Sequence, residues 1–463
     1  MNQTYMKEKP VFPLILTMSL PMVLSMLVNA LYNIVDSYFV AQISEEAMTA
    51  LSLVYPLQNL VTAIGVGFGI GINAAVAYYL GAQRTGDAEK SFSQGLFLSA
   101  VHGIILTLGC ICVMPLFLRL FTSSETVISY GLGYSNVVFL FSVVITVEVT
   151  YEKLFQAVGM MKVSMISMLV GCVVNIILDS LFIFGAGFIP AMGVEGAALA
   201  TGIGQAATLV IYLVIYRRVE LPVKFRLIRN SLLDRKICKR LYGVGIPATL
   251  NLALASLLIT ALNRILSGFS QMYVLILGIY YKLQTFIYLT ANGIVQGIRP
   301  LVSYNYGAGR NDRVRSIHKT ALFLGLVIMA VGTGLCMIIP DRIIGLFTHS
   351  PETARAGALA LRIISCGFIV STVSVMTSGT FEGLGKGLPS LMISLIRYIA
   401  IIPIAFVLSL LFGAVGVWHA FWVTELIAAG VSIILFFYSF PLKQYVHTLH
   451  GSMPMEARRS SSR

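Results

Sequence analysis

Charged residues are scarce in this chain. Lys, Arg, Asp and Glu make up 11% of its 463 residues, whereas an ordinary soluble domain has about 25%. Hydrophobic residues make up 57%, and the mean hydropathy is +0.87. A chain with so few charges cannot give a domain of this size an ordinary polar surface. We therefore predict a polytopic membrane protein that is inserted in the lipid bilayer.

Cysteine and histidine are also few, with six of each. The cysteines form no CxxC motif, and five of them lie in apolar stretches, which is typical of small core residues. The histidines have no metal-ligand spacing, and no clustered nucleophile and base are evident. We therefore predict neither an enzyme nor a protein with an organic or metal cofactor.

The apolar residues occur in long charge-free stretches. A helix needs about 20 such residues to cross the roughly 30 Å hydrocarbon core of a bilayer. Dividing the stretches at Gly, Pro and charged clusters predicts an all-α fold with about twelve transmembrane helices.

The basic residues follow alternate loops. If the N-terminus is cytoplasmic, 23 of the 32 Lys and Arg lie on predicted inner segments, and only Arg119, Arg342 and Arg355 lie on outer ones. This asymmetry is the positive-inside pattern, so both termini are predicted to be cytoplasmic. It also explains the net charge of +13 without a nucleic-acid partner.

The two halves of the chain repeat each other at an offset of 226 residues. Pro21 recurs as Pro247, Gly81-Ala82 as Gly307-Ala308, and Phe155 as Phe381. Each half holds about six spans, so both enter the membrane in the same direction and are predicted to be related by a pseudo-two-fold axis along its normal.

The repeat divides the chain into four predicted segments. They are a first six-helix lobe (1–216), a basic cytoplasmic linker (217–240), a second six-helix lobe (241–442) and a cytoplasmic tail (443–463). The linker is interpreted as a solvated loop, with a basic helix on anionic lipid as the alternative.

Asp36 follows about 22 charge-free residues (14–35). A charge at the centre of a membrane helix costs roughly 2.5 to 3.5 kcal/mol on insertion scales, so it is usually paired, protonated or exposed to a wet cavity. Pro21 lies 15 residues earlier in the same span. Because proline removes a backbone hydrogen bond, the helix can bend there, either as a coupling hinge or as an ordinary kink.

Further polar residues occur in pairs four positions apart, so that each pair shares a helix face. The pairs are Tyr32 with Asp36, Asn175 with Asp179, and Ala197 with Thr201. Together their oxygens suit a small hard cation or a proton. The alternative is a set of separate hydrogen bonds that pack the helices.

Other ionisable residues at membrane depth are candidates for a substrate cavity. Glu148 and Glu152 favour an organic cation, whereas Arg264, Lys282 and Arg397 favour an anion.

Several motifs together resemble the multidrug and toxin extrusion (MATE) family of prokaryotes over residues 11 to 442. The motifs are Tyr32-Asn33-x-x-Asp36-x-x-Phe39-Val40, the repeated Gly81-Ala82, Asn175-Ile176-Ile177-Leu178-Asp179-x-x-Phe182-Ile183-Phe184-Gly185, Gly193-Val194-x-Gly196-Ala197-Ala198-x-Ala200-Thr201, and Phe381-Glu382-Gly383-Leu384-Gly385-Lys386.

The resemblance implies a monomeric antiporter of the bacterial inner membrane that exports small organic compounds in exchange for protons or sodium. It further implies that the positions of Asp36, Asn175, Asp179 and Thr201 form the cation or proton site, which is the only place where a metal ion, Na⁺, is expected. Ala197 matches a position that offers its carbonyl, Tyr32 a neighbour of the site, and Pro21 the bend.

Residues 241–263 contain no acid, whereas members with a cation in the second lobe carry one there. Coupling is therefore predicted in the first lobe only. The substrate is expected to be an amphipathic cation, and the alternatives are an anionic metabolite or a lipid-linked oligosaccharide moved by the same fold.

Overall fold

A computed structural model describes residues 5–185, 187, 189–226, 233–348 and 350–439. Within these ranges the chain is helical and contains no β-strand element. The predicted tail (443–463) and part of the predicted linker (227–232) lie outside the described residues. The helices are α1 (Tyr5–Glu8), α2 (Val11–Ala41), α3 (Glu45–Gly81), α4 (Thr85–Phe121), α5 (Glu125–Leu140), α6 (Ser142–Ala157), α7 (Met161–Phe184), α8 (Gly193–Arg218), α9 (Arg235–Ser267), α10 (Gln271–Gly307), α11 (Asn311–Ile338), α12 (Pro340–Gly345), α13 (Pro351–Gly383), α14 (Gly387–Leu395), α15 (Ile401–Phe412) and α16 (Ala414–Ser439).

The described part of the chain has eleven candidate spans and one bent pair of helices that can form a twelfth. The bent pair is α5 and α6, which meet at an angle of 45°. A π-helical turn, Ile396–Ala400, joins α14 and α15 within another span. The prediction of an all-α membrane protein with about twelve spans is confirmed.

Four long helices connect the two lobes in two equivalent pairs, α2 with α10 and α3 with α9. Glycines bring each pair into backbone contact. A Cβ on Gly67 would lie 2.5 Å from Thr249 N, and a Cβ on its repeat equivalent Gly293 would lie 2.9 Å from Val23 N. One turn further along the same helices, Gly71 and Gly297 make a second equivalent pair of close approaches.

The ends of α3 and α10 cross at the same end of the molecule. A Cβ on Gly81 would lie 1.9 Å from Tyr304 O, and a Cβ on Gly307 would lie 2.0 Å from Tyr78 O. We call this set of contacts the glycine seam; it comprises Gly67, Gly71, Gly81, Gly293, Gly297 and Gly307. Beyond it the lobes separate, and α2 buries no residue between Ser25 and Val40.

The repeated Gly-Ala elements therefore lie where α3 and α10 cross. Neither Gly81 nor Gly307 has a positive φ; the left-handed positions are Gln83 (φ 59°) and Gly309 (φ 72°). The two glycines are required because another helix passes too close for any side chain.

Candidate cation or proton site

Close packing of α7 against α8 brings Asn175 to Thr201. Gly204 lies against the Asn175 side chain, where a Cβ would be 2.9 Å from Asn175 Cβ, and a Cβ on Gly171 would lie 2.9 Å from Gly204 O. As a result, Asn175 Nδ2 donates to Thr201 Oγ1 at 3.4 Å. Ala197, one turn before Thr201 on α8, is fully buried.

Packing of α2 against α7 brings the two aspartates together. The Asp36 and Asp179 carboxylates are close enough to interact directly, and Asp179 is fully buried. Neither Asp179 oxygen has a hydrogen bond of good geometry to another described residue, and the same holds for Asp36 Oδ1. Among the described residues, no Lys or Arg forms an ion pair with either aspartate.

Two tyrosines complete the surroundings of this pair. Tyr32 of α2 lies beside Asp36 and the hydroxyl of Thr201. Tyr134 of α5 is buried close to both aspartates and donates to Gln58 Oε1 of α3 at 3.5 Å. Tyr134 and Gln58 were not among the predicted site residues, although each has a polar neighbour four positions away, Tyr130 and Thr62. Their signal is this polar pair within an apolar span.

Pro21 lies inside α2 and is buried. Ser25 donates its hydroxyl to Pro21 O at 2.8 Å. Met22 follows Pro21 directly, and its sulfur accepts a hydrogen bond from Gln156 Nε2 of α6 at 3.3 Å. The part of α2 around Pro21 is thus in contact with a polar cluster of α6.

That cluster contains the two acids that were expected in the substrate cavity. Glu148 and Glu152 are instead buried inside the first lobe, with exposures of 6% and 7%, because α6 packs against α3, α4 and α8. Glu152 pairs with Lys153 at 3.0 Å. In this conformation neither acid lines the opening between the lobes.

The basic candidates in the second lobe fall into two groups. Arg397, on the π-helical turn, pairs with Glu425 of α16 at 2.9 Å, and Ser374 donates to the other oxygen of that carboxylate at 3.0 Å. Arg264 and Lys282 are exposed and have no ion-pair partner in the described part of the chain.

The first-lobe site therefore offers carboxylate, amide and hydroxyl oxygens in a buried place. Oxygen ligands of this kind suit a small hard cation, and two adjacent carboxylates can also share a proton, because both cannot keep a negative charge at such short range. The arrangement is chemically competent to bind either ion.

Comparisons with known proteins give consistent results. The MatE family model matches residues 21–181 and 247–407, two segments that start 226 residues apart, as the internal repeat does. The multidrug export protein MepA of Staphylococcus haemolyticus (strain JCSC1435) is 25% identical, over 93% of this chain and 94% of its own.

Two solved structures share the fold. One is the outward-facing conformation of a multidrug resistance MATE family transporter of the MOP superfamily, with a TM-score of 0.87 at 22% identity. The other is a MOP superfamily transporter from Pyrococcus furiosus Vc1 (DSM3638), described as having a binding pocket of reverse polarity that suggests a different function, with a TM-score of 0.85 at 22% identity. Each comparison covers 94% of this chain and 97% of the other.

Proposed function

Because this chain belongs to the MatE family, we propose that it is a secondary active antiporter, which exports organic compounds in exchange for protons or sodium. The observation that carries the proposal is the Asp36–Asp179 pair, in which Asp179 is fully buried and Asp36 is half-buried. Neither acid has a basic partner within the described residues. Such a pair needs a proton or a cation to offset its charge. Export of several compounds is supported by the name of MepA, a multidrug export protein.

Coupling requires that the ion and the substrate prefer different conformations, because a ligand that binds both equally shifts neither. The glycine seam closes one end of the path between the lobes. With the topology predicted from the basic residues, that end is cytoplasmic and this conformation is open to the outside. Ion binding at Asp36 acts on α2, which contacts two of the seam glycines, Gly293 and Gly297, through Val23 and Ser19.

The charge of the substrate follows from the residues that face the opening. The expectation of a cation rested on Glu148 and Glu152, which are buried within the first lobe. Lys282 lies three turns before Gly293 on α10 and shares its face, so it points towards the first lobe, and it is exposed. This unpaired cation supports a second candidate function, the export of an organic anion.

The test is transport in proteoliposomes with sodium and pH gradients imposed separately. A cationic and an anionic dye are compared in the same preparation. We expect gradient-driven transport by the wild type and its loss in Asp36→Asn, whereas Asp341→Asn, a change of an exposed carboxylate on α12, serves as the matched control. Undiminished gradient-driven transport by Asp36→Asn would refute the coupling role of this residue.

A further inference from the structure

The two lobes differ in their balance of buried charges. In the second lobe each of the two acids at membrane depth has a basic partner: Glu382 pairs with Arg299 at 2.6 Å, and Glu425 pairs with Arg397 at 2.9 Å. Within the described residues, the first lobe holds four acids at membrane depth, Asp36, Asp179, Glu148 and Glu152, but only one buried base, Lys153. An unpaired buried charge is much more costly than a paired one. The first lobe therefore has acids that its own side chains do not neutralise.

The repeat shows which acids of α6 have no acidic counterpart in the second lobe. Adding 226 to Gln156 gives Glu382, so both lobes have a polar cluster at this point, and each cluster contains one ion pair. The same offset relates Glu148 to Ser374 and Glu152 to Ser378. A hydroxyl therefore satisfies the fold at both positions, and of the two acids only Glu152 has an ion-pair partner, Lys153.

Glu148 also lacks a hydrogen-bonding partner. It is 6% exposed, and its carboxylate makes no hydrogen bond to another described side chain. Lys153 directs its ammonium group elsewhere, to Glu152 Oε1 at 3.0 Å and to Gln156 Oε1 at 3.2 Å. The Glu152 carboxylate is further held by Gln156 Nε2 at 2.5 Å.

The helices around Glu148 contribute few ionisable groups. On its own helix, Glu152 and Lys153 act on it electrostatically. Cys172 of α7 and Tyr212 of α8 also lie close to it, and the neighbouring parts of the other described helices bring no further charge. None of these groups supplies a second positive charge.

Unused polar atoms lie next to the same cluster. Ser164 and Ser167 of α7 are at most 1% exposed and stand beside the Tyr212 hydroxyl, yet neither side-chain oxygen has a hydrogen bond of good geometry to any described residue. Buried polar atoms are nearly always partnered. These two hydroxyls therefore mark a place that can take part in the binding or passage of a small polar species.

The species that fits is a proton. No group of three or more His, Cys, Asp or Glu that could hold a metal ion occurs in the described ranges, and the neighbouring ammonium of Lys153 would repel a metal cation. A proton, by contrast, makes the Glu148 carboxyl neutral without any further ligand.

We propose that Glu148 is a second proton-binding carboxyl of the first lobe, distinct from the Asp36–Asp179 pair. Its neighbour Cys172 lies seven residues from Asp179 on α7, which is about 10 Å along the helix. On the other side, the Glu152–Gln156 cluster contacts Met22 next to Pro21. Glu148 thus lies between the aspartate pair and the part of α2 around Pro21. Its role as a relay for the coupling proton rests on the proposed function, whereas the binding of a proton at Glu148 does not.

Infrared difference spectroscopy of the purified full-length protein tests proton binding directly. A pH titration of the wild type should show the carbonyl band of a protonated carboxyl, and Glu148→Gln should remove one such contribution. Glu148→Asp should keep a band at a shifted frequency. A Glu148→Gln spectrum that is identical to that of the wild type throughout the titration would overturn the proposal.

Glu148→Ser provides a second variant that should fold, because the equivalent position of the second lobe carries Ser374. Gel filtration and Tm monitor folding of all variants. In proteoliposomes, Glu148→Gln and Glu148→Ser should slow proton-driven transport at least tenfold while leaving dye–dye exchange unchanged. Unaltered proton-driven transport would refute the relay role.

The two proposals can fail separately. If the wild type transports no dye under any gradient but its spectrum shows the Glu148 band, the antiporter function is wrong and the proton site stands.

Discussion

Replacement of Gly81 by Ala should prevent closure of the glycine seam. The added Cβ would lie 1.9 Å from Tyr304 O and 2.7 Å from Tyr304 C. Both atoms belong to the backbone of α10, so no side-chain rotation can relieve the clash. The two helices must separate until this contact reaches at least 3.0 Å, the shortest that real Cβ atoms show.

The magnitude follows from the cost of overpacking. An additional carbon in a well-packed place typically costs about 1 to 3 kcal/mol. The cost applies only to the conformation in which the seam is closed, so it shifts the equilibrium towards the open conformation by about 5- to 150-fold. Gly81 has no positive φ, and alanine itself is therefore compatible with the local backbone.

Distances between two spin labels measure this shift. Lys162→Cys and Leu388→Cys are equivalent, exposed positions at the seam end of the two lobes; the exposed Cys112 and Cys366 are first replaced by Ser. Gly81→Ala should increase the population with long distances.

Gly334→Ala is the matched control, since nothing lies within 4 Å of a Cβ there. Its distance distribution should equal that of the wild type. A distribution for Gly81→Ala that also matches the wild type would show that the seam does not control closure.

Two other predictions concern stability. Arg299→Ala leaves the buried carboxylate of Glu382 without its cation, which should cost about 3 to 5 kcal/mol and lower Tm. Arg299→Lys should lower Tm less. An unchanged Tm in Arg299→Ala would contradict a stabilising role of this ion pair. Tyr5→Phe removes the hydrogen bond from the phenol to Gly159 O at 3.0 Å, and should cost about 1 kcal/mol. Burial raises the pKa of Tyr5 to about 12. The stability that Tyr5 adds over Phe should therefore be constant below about pH 10 and decrease as the pH rises towards 12. A stability difference that increased over this range would refute the role of the buried phenol.

Patterns along the chain were sufficient to predict the class of protein and the approximate number of its membrane spans. Long charge-free stretches predict membrane helices because the bilayer imposes a length and an apolar composition on each span. The bent pair α5 and α6 is the element that composition alone describes least well, since it counts as a span only when its two parts are joined.

The candidate site could be predicted in part. Asp36, Asn175, Asp179 and Thr201 were singled out by their spacing and by the family resemblance, and the structure brings them together. Tyr134 also has a polar neighbour at this spacing, Tyr130, but its place in the site is found only through its packing against the aspartates. Its contribution depends on the position of α5 relative to α2 and α7, which no local pattern contains.

By itself, the sequence determined that the chain crosses the membrane and that its halves repeat at an offset of 226 residues. It also placed Asp36 at the end of an apolar span, where a charge is unfavourable unless it is paired, protonated or hydrated. The tertiary structure alone decided that Gly81 and Gly307 serve a helix crossing and that Glu425 neutralises Arg397. It also decided that Glu148 is buried without a hydrogen bond to another described side chain. The physical reason is that insertion and periodicity are properties of one segment, whereas neutralisation and close approach depend on which helices pack together.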